Sequence, residues 1–174
     1  MKHSRPLGRY FLLLVFLPVL AFCQKVSVEF DETQSFSDYR TFAIVNGALN
    51  SKNPSLNNDI VRNNLEAEIR RRLMEKGFTE VTARPDLNVR YSLGSGRRVE
   101  TEAYPAGWRG LGTRVVRRGY TEGTLVIDLR DAKRHALVWR ATAVEDNSDP
   151  MKIKDHLADM VRKAIEKYPP KPSR

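Results

Sequence analysis

The side chains that most often catalyse reactions or bind metals are few in this sequence and lie far apart. No two of the histidines His3, His135 and His156 have metal-ligand spacing, and the only cysteine is Cys23. A nucleophilic serine needs a neighbouring base, and no serine lies in a Gly-x-Ser-x-Gly turn. The sequence therefore predicts no metal, no cofactor and no catalytic centre. Carboxylates that only the fold could pair leave a hydrolase as an alternative.

One segment, residues 84–120, is rich in arginine. It contains eight arginines and three acidic residues, with Tyr104, Trp108 and Tyr120 interleaved. Arginine binds phosphate and carboxylate groups through its planar fork and stacks on aromatic rings. The candidate surface for an anionic ligand or a protein partner consists of Arg97, Arg98, Trp108, Arg109, Arg114, Arg117 and Arg118. In the alternative interpretation, these arginines line the solvated face of a hairpin and protect an edge strand.

The net charge favours an anionic partner without identifying it. The chain carries +9, from 30 basic and 21 acidic residues. Lys2, Arg5 and Arg9 lie in the first 23 residues, so the remainder has 27 basic residues against 21 acidic ones, a net charge of +6. A basic protein attracts lipid headgroups, acidic polymers and nucleic acid, and its charge also serves solubility.

The N-terminal segment has the pattern of an export signal. Three basic residues precede an apolar run of 13 residues from Tyr10 to Phe22. This run is too short to span a bilayer, which needs about 20 residues. A basic region followed by such a run is typical of a secretory signal peptide. We therefore expect residues 1–23 to be a signal peptide and the protein to act outside the cytoplasm, in the periplasm.

The sequence around Cys23 is compatible with two cleavage positions. Ala21 and Cys23 are small residues at −3 and −1 before Gln24, which suits ordinary signal peptidase. In the alternative, Leu20-Ala21-Phe22-Cys23 acts as a lipobox, and Cys23 becomes the lipidated first residue of an outer-membrane lipoprotein. Membrane association is expected only in this second case. Export argues against nucleic acid, so an anionic envelope component or another envelope protein is the expected partner.

Alternating apolar residues predict several strands. The predicted strands cover residues 26–30, 39–45, 87–93, 125–129 and 137–143, with weaker signals at 99–103 and 113–118. We expect Gly94-Ser95-Gly96 to interrupt the sheet and residues 105–112 to form a glycine-rich loop. Gly119 and Gly123 are expected to flank a turn or bulge. A turn at 131–134 joins the last two strands into a hairpin.

Two helices accompany these strands. The first, over 58–76, has an apolar stripe that repeats every four residues: Val61, Leu65, Ile69 and Leu73. Asn58 or Asp59 is suited to cap its start, and Gly77 is suited to end it. The second begins at Asp149-Pro150 and ends before Pro169.

The order of strands and helices determines the predicted fold class. Strands and helices do not alternate strictly, which favours an α+β fold, an antiparallel or mixed β-sheet with two helices packed on one face. The length suits one domain, which we place at residues 24–170. Residues 171–174 are expected to form a frayed tail.

Several short motifs follow one another along the mature chain in a recognisable order. The first are Val26-Ser27-Val28-Glu29-Phe30-Asp31, Phe36-Ser37-Asp38-Tyr39-Arg40-Thr41-Phe42-Ala43 and Leu73-Met74-Glu75-Lys76-Gly77-Phe78. The later ones are Pro85-Asp86-Leu87-Asn88-Val89-Arg90-Tyr91, Glu122-Gly123-Thr124-Leu125-Val126-Ile127-Asp128-Leu129, Leu137-Val138-Trp139-Arg140 and Tyr168-Pro169-Pro170. In order and spacing they resemble a family of exported bacterial proteins and lipoproteins, the domain-of-unknown-function 4136 family.

The resemblance implies an exported α+β domain, often lipid-anchored, with no established activity. It supplies no catalytic residue to transfer to this chain. Two positions depart from the family pattern. Phe22 occupies a lipobox position where a small residue is expected, and Ala141 stands where the family tends to have glycine.

These observations together predict a non-catalytic binding or accessory module of the bacterial cell envelope. One alternative is a hydrolase that acts on an envelope polymer, which would need a cleft with carboxylates or histidine. The other is a structural subunit that assembles through an exposed edge strand.

Overall fold

A mixed β-sheet with two helices on one face forms the centre of the fold. The computed structural model describes the backbone of residues 25–106, 112–147 and 150–170, and within these ranges the side chains of 25–95, 123–145 and 151–170. The predicted signal peptide at 1–23 and the predicted tail at 171–174 lie outside the described residues. The predicted α+β class is confirmed.

The sheet contains seven strands in the described part of the chain. They are β1 Lys25–Phe30, β2 Thr41–Ile44, β3 Ala48–Leu49, β4 Thr79–Glu80, β5 Leu87–Ala106, β6 Gly112–Asp131 and β7 Leu137–Asn147. Their spatial order is β1-β7-β6-β5-β2-β4, and β3 also pairs with β5. The pairs β1–β7, β7–β6 and β6–β5 are antiparallel, whereas β2 and β3 run parallel to β5 and β4 runs parallel to β2.

The first helix, α1 Asp59–Glu75, follows the sequence prediction closely. Its four apolar stripe residues are all buried. Asn58 caps the start, because its side-chain oxygen accepts a hydrogen bond from the Val61 backbone N–H at 3.0 Å. Gly77 ends the helix at φ +91°, and the Phe78 N–H donates to the carbonyl of Leu73 at 3.1 Å.

The second helix, α2 Pro150–Glu166, packs on a different part of the sheet from α1. It contacts α1, β1, β6 and β7, whereas α1 contacts β4. Its buried residues are Ile153, Leu157, Met160, Val161, Ala164 and Ile165. All of these except Ile153 join the inward side chains of the strands in one apolar core. Neither helix is long and apolar enough to cross a membrane in the part of the chain described here.

An aromatic cluster closes the core at the C-terminal end of α2. The ring of Tyr168 lies 5.4 Å from that of Phe78, 5.7 Å from that of Phe36 and 5.8 Å from that of Trp139. Burial raises the pKa of the Tyr168 hydroxyl. Each ring comes from a different motif of the family resemblance, so these motifs meet in the core.

Two of the expected interruptions of the sheet are wrong. β5 runs unbroken through Gly94-Ser95-Gly96, and β6 runs unbroken through Gly119 and Gly123. The two strands pair with each other residue by residue from Leu87↔Asp131 to Ala106↔Gly112. A glycine weakens a strand by only about 0.5–1 kcal/mol, so a continuous ladder outweighs it. The register shift lies instead between Leu129 and Arg130.

The short strands β3 and β4 lie outside the strands that the alternating pattern predicts. Each has two residues, which is too few to show an alternating pattern. β3 exists because Ala48 and Leu49 pair with Ser92 and Leu93 of β5. The pairing of β3 with β5 and of β4 with β2 therefore determines where these two strands form.

Candidate functional site

The long strands β5 and β6 extend beyond the rest of the sheet as a two-stranded ribbon. The last pair between β6 and β7 is Thr121↔Asn147, and the last pair between β3 and β5 is Leu49↔Leu93. Beyond these pairs, residues 98–106 and 112–120 pair only with each other in the described chain. We call this ribbon the β-arm. Nine residues of strand give it a length of about 30 Å.

The backbone register shows where the predicted arginines lie. Arg97 pairs with Thr121 at the base of the β-arm. The other pairs within the β-arm are Arg98↔Tyr120, Glu100↔Arg118, Thr101↔Arg117 and Tyr104↔Arg114. The register therefore puts Arg97 at the base of the β-arm and the other four paired arginines within it. Trp108 and Arg109 lie outside the described residues.

The register also divides the arginines between two sets of positions. Arg98, Arg114 and Arg118 belong to one set of alternate positions, and Arg97 and Arg117 belong to the other. Alternate positions of a regular strand belong to opposite faces. The sequence-based candidate surface is therefore divided between the two faces of the ribbon.

The β-arm combines excess positive charge with few paired edges. Residues 97–121 contain six arginines and two glutamates, a net charge of +4. Of the five paired arginines, only Arg118 has an acidic residue directly opposite it, Glu100. An isolated two-stranded ribbon is marginally stable in water. Such a ribbon is suited to bind an anionic surface that neutralises its charge.

A buried carboxylate lies near the base of the β-arm. Glu145 of β7 pairs with Gly123 of β6, and 3% of its surface is exposed. Its Oε1 lies 2.8 Å from Nδ1 of His156 on α2, whereas Oε2 has no hydrogen-bond partner among the described residues. The pair ties α2 to the sheet and fixes the orientation of the imidazole ring.

Sequence reasoning missed Glu145, although a signal for it was present. Ala141, Ala143 and Glu145 have the same parity in β7, and both alanines are fully buried. A charged residue that continues an inward-facing row is expected to be buried with a partner. His156 was noted in the sequence, but its partner comes from another element.

The opposite end of the sheet, which we call the turn pole, contains a small polar cavity of about 220 Å³. It lies between the β1–β2 connection, the β4–β5 connection and the β6–β7 turn. The cavity is lined by Gln34, Ser35, Asp38, Tyr39, Asp86, Asp131, Lys133 and Arg134.

Asp86 joins two segments at the turn pole. Its Oδ2 accepts hydrogen bonds from the backbone N–H groups of Arg40 at 3.0 Å and Thr41 at 2.9 Å, and from the Thr41 hydroxyl at 2.8 Å. The hydrogen bonds from Arg40 and Thr41 hold the pKa of Asp86 below its ordinary value. The carboxylate therefore fixes the start of β2 beside the start of β5.

Asp131 organises the β6–β7 turn in a similar way. Its Oδ1 accepts from the backbone N–H groups of Lys133 at 2.9 Å and Arg134 at 2.8 Å, and its Oδ2 accepts from the Tyr39 hydroxyl at 3.1 Å. Burial raises the pKa of Asp131, but the hydrogen bonds from Arg134 and Tyr39 outweigh it and lower the pKa overall. Both carboxylates are thus engaged in turn structure, as the sequence suggested for Asp131.

The role of Asp86 predicts an acid-sensitive contribution to stability. A carboxylate whose pKa is lowered by folding stabilises the protein above its unfolded pKa of about 3.9, and this stabilisation is lost as pH falls through the folded pKa. Asp86→Asn is expected to lower the free energy of unfolding by about 1–3 kcal/mol at neutral pH. Its stability should also fall less steeply below about pH 4, measured by urea denaturation.

Asp38→Asn is the matched control for this prediction. The Asp38 side chain accepts only from the hydroxyls of Ser35 and Ser37 among the described contacts. Replacing Asp38 should therefore lower the free energy of unfolding much less than replacing Asp86 does at neutral pH. An Asp86→Asn variant with the same acid dependence as the unmodified protein would contradict the assignment.

A second cavity of about 490 Å³ lies between the helices. Its base contains Val61, Leu65 and Leu157, and its rim includes Lys154 and Asp155. Glu68 also lines this cavity, but its carboxylate is engaged by Arg71 at 2.6 Å and by Arg72 at 2.8 Å. The Arg71 and Arg72 hydrogen bonds overcome the effect of burial and lower the pKa of Glu68.

The solved structures with a similar fold include those of a PDZ domain protein and of PelC. A PDZ domain protein from Parabacteroides distasonis has 16% sequence identity and a TM-score of 0.59. The alignment covers 86% of this chain but 37% of that protein, so the chain spans little more than a third of its length. The PelC dodecamer from Paraburkholderia phytofirmans has 14% identity and a TM-score of 0.50, with 82% and 95% coverage. At these identities the likeness shows the fold alone.

A comparison with curated proteins found no match. A family model described as "Domain of unknown function (DUF4136)" matches residues 26–170, which include both helices and nearly the whole sheet. The motifs of the sequence resemblance all fall inside this range or at its limits. The chain therefore belongs to the DUF4136 family of unknown function.

Proposed function

We propose that this protein is an exported, non-catalytic binding or accessory module of the bacterial cell envelope, and that the β-arm is its binding surface. The export part of the proposal is supported by the basic N-terminal region and the apolar run from Tyr10 to Phe22. The binding part is supported by the β-arm. The partner expected from the chemistry is an anionic envelope component or an acidic surface of an envelope protein.

The single observation that carries this proposal is the paired extension of β5 and β6 beyond the sheet. It places Arg98, Arg114, Arg117 and Arg118 on a ribbon of about 30 Å with a net positive charge. A strand pair that only completed the fold would have no need to extend past the neighbouring strands. Binding explains both the extension and the charge.

The roles of the family motifs also support this assignment. Phe36, Phe78, Trp139 and Tyr168 pack in the aromatic cluster, and Asp86 holds the turn pole. These residues are engaged in maintaining the fold. We therefore assign the binding function to the β-arm, none of whose residues belongs to those motifs.

Charge reversal tests the proposed surface. The variant Arg97→Glu, Arg98→Glu, Arg117→Glu, Arg118→Glu should bind at least tenfold more weakly to a panel of phosphatidylglycerol, lipopolysaccharide and peptidoglycan, because its electrostatic attraction is reversed. A control variant reverses three basic residues at or near the turn pole, Arg84, Lys133 and Lys167. Thermal unfolding verifies that both variants fold. Unchanged binding of the β-arm variant would refute the proposal.

The mature N-terminus tests the export part of the proposal. Protein recovered from the cell envelope of its native host should have an intact mass that begins either at Gln24 or at Cys23 with attached acyl chains. The first mass would identify a diffusible periplasmic protein, and the second an outer-membrane lipoprotein. An intact mass that includes residues 1–23 would contradict cleavage.

A structural subunit that assembles through an edge strand is the second candidate. β1 lies at one edge of the described sheet, and the β-arm has two unpaired edges in the described chain. The fold is also similar to that of PelC, which was solved as a dodecamer. Light scattering distinguishes the candidates, because a strictly monomeric protein at high concentration would exclude the subunit. A hydrolase would need free carboxylates in a cleft, whereas Asp86 and Asp131 in the turn-pole cavity already accept hydrogen bonds from backbone N–H groups.

A further inference from the structure

The first strand of the sheet begins beside the base of the β-arm. Lys25 of β1 pairs with Val144 of β7. Val144 pairs with Thr124 of β6, and Thr124 pairs with Gly94 of β5. These four residues form one row across the sheet. Three residues beyond that row, β5 reaches Arg97, which is a distance of about 10 Å along the strand.

The strand directions show from which side the N-terminal segment arrives. β7 runs toward the β-arm and ends at Asn147, opposite Thr121. β1 is antiparallel to β7, so it runs away from the β-arm, from Lys25 to Phe30. The N-terminal end of β1, at Lys25, therefore points toward the side on which the β-arm extends. Cys23 lies only two residues before Lys25.

The composition of the N-terminal segment indicates which partner is expected on the side from which the β-arm extends. Residues 10–22 form an apolar run suited to a lipid environment, and Cys23 is the predicted lipidation position. If Cys23 carries an acyl chain, the membrane lies on the side from which the β-arm extends, because only two residues, about 7 Å of extended chain, separate Cys23 from the start of β1. Basic residues close to an anionic membrane bind its headgroups, and this attraction decays within about 10 Å.

We propose that the β-arm binds the phosphate groups of anionic lipids on the membrane beside which the chain emerges. This inference rests on the proposed function, because it names the partner class of the same β-arm. The register carries it, since it places the start of β1 and the arginines of the β-arm toward one side of the domain. A soluble polyanion or an acidic protein has no such reason to lie on that side.

The turn pole supplies a matched control with the same kind of charge. The row Leu87↔Asp131 lies ten residues of strand from Arg97, which is about 34 Å from the base of the β-arm. Arg84 and Lys133 are exposed residues of the connections at that end. Lys167 is exposed and precedes Tyr168, whose hydroxyl lies 3.3 Å from the carbonyl oxygen of Phe36.

Vesicle binding tests this proposal. The full chain with Cys23→Ala is recovered after export, so that no acyl chain contributes. It should bind vesicles of phosphatidylglycerol and phosphatidylethanolamine, but not vesicles of phosphatidylcholine, and added salt should weaken the binding. Each arginine near the surface strengthens binding about fivefold, so Arg114→Gln, Arg117→Gln, Arg118→Gln together should weaken it about a hundredfold.

Two further variants keep the test decisive. The control Arg84→Gln, Lys133→Gln, Lys167→Gln removes the same charge and should bind like the parent protein. Should the triple β-arm variant unfold, Arg98→Gln with Arg114→Gln should weaken binding about thirtyfold. Equal binding to neutral and anionic vesicles, or equal losses in the β-arm and control variants, would overturn the proposal.

The two proposals can fail separately. If the β-arm variants bind anionic vesicles normally but lose lipopolysaccharide, peptidoglycan or a protein partner, the lipid assignment is wrong and the β-arm remains the binding surface. If no ligand distinguishes the β-arm variants from the controls, both proposals are wrong.

Discussion

Replacing Trp139 by alanine is expected to lower the free energy of unfolding by about 3–5 kcal/mol, enough to unfold most of a marginally stable domain. The Trp139 side chain is among the largest of the fully buried ones, and 1% of its surface is exposed. Its backbone pairs with Phe30 on one side and Leu129 on the other, and its ring contacts Tyr168. Alanine would leave a cavity between strand and helix that the packed neighbours cannot fill. Urea denaturation followed by circular dichroism measures the loss.

Trp139→Phe is the informative control. The indole Nε1 has no hydrogen-bond partner among the described residues, so phenylalanine removes volume without breaking a hydrogen bond. We expect this variant to lose less than about 2 kcal/mol, because an aromatic ring still fills most of the space. Equal losses for phenylalanine and alanine would contradict the explanation that ring packing determines the effect.

Replacing Gly47 by alanine is expected to destabilise the protein by about 3 kcal/mol through a steric clash. A Cβ atom at this position would lie 2.1 Å from Cζ of Tyr91, far inside van der Waals contact. Tyr91 cannot easily move, since its ring is buried with 3% of its surface exposed. Its hydroxyl also donates to Glu66 Oε1 at 2.7 Å. The denaturant midpoint should fall with little change in slope.

Two variants separate the clash from a general effect of removing glycine. Gly94→Ala adds the same methyl group where no atom lies within 4 Å, so it should not destabilise the protein and should stabilise the strand by at most about 1 kcal/mol. In the background Tyr91→Leu, the added cost of Gly47→Ala should largely disappear, since the ring atoms that cause the clash are gone. A large cost that persists in that background would contradict the steric explanation.

Much of the fold could be predicted from local patterns. The stripe of α1, its Asn58 cap and its Gly77 end follow from helical spacing and local backbone chemistry, and the structure confirms all three. The hairpin of β6 and β7 was likewise predicted from alternation and a turn at 131–134. These features were accessible because their determining interactions lie within a few residues of one another in the chain.

The length of β5 and β6 could not be predicted in the same way. Glycines at 94, 96, 119 and 123 weaken the local strand signal, and the residues that pair with them lie between 20 and 30 positions away in the chain. For the same reason, β3, β4 and the contact between Glu145 and His156 could not be predicted from the sequence. In each case the deciding contact joins segments that are distant in sequence.

The sequence by itself determined the family, the α+β class, the predicted export signal and the identity of the arginine-rich segment. These depend on residue types and on short spacings, which the chain carries whatever its tertiary structure. Only the tertiary structure decided that the arginines extend on a β-arm and divide between alternate positions, and that Lys25 begins beside the base of that arm. Strand register decides all three, and register depends on pairing between residues far apart in the chain.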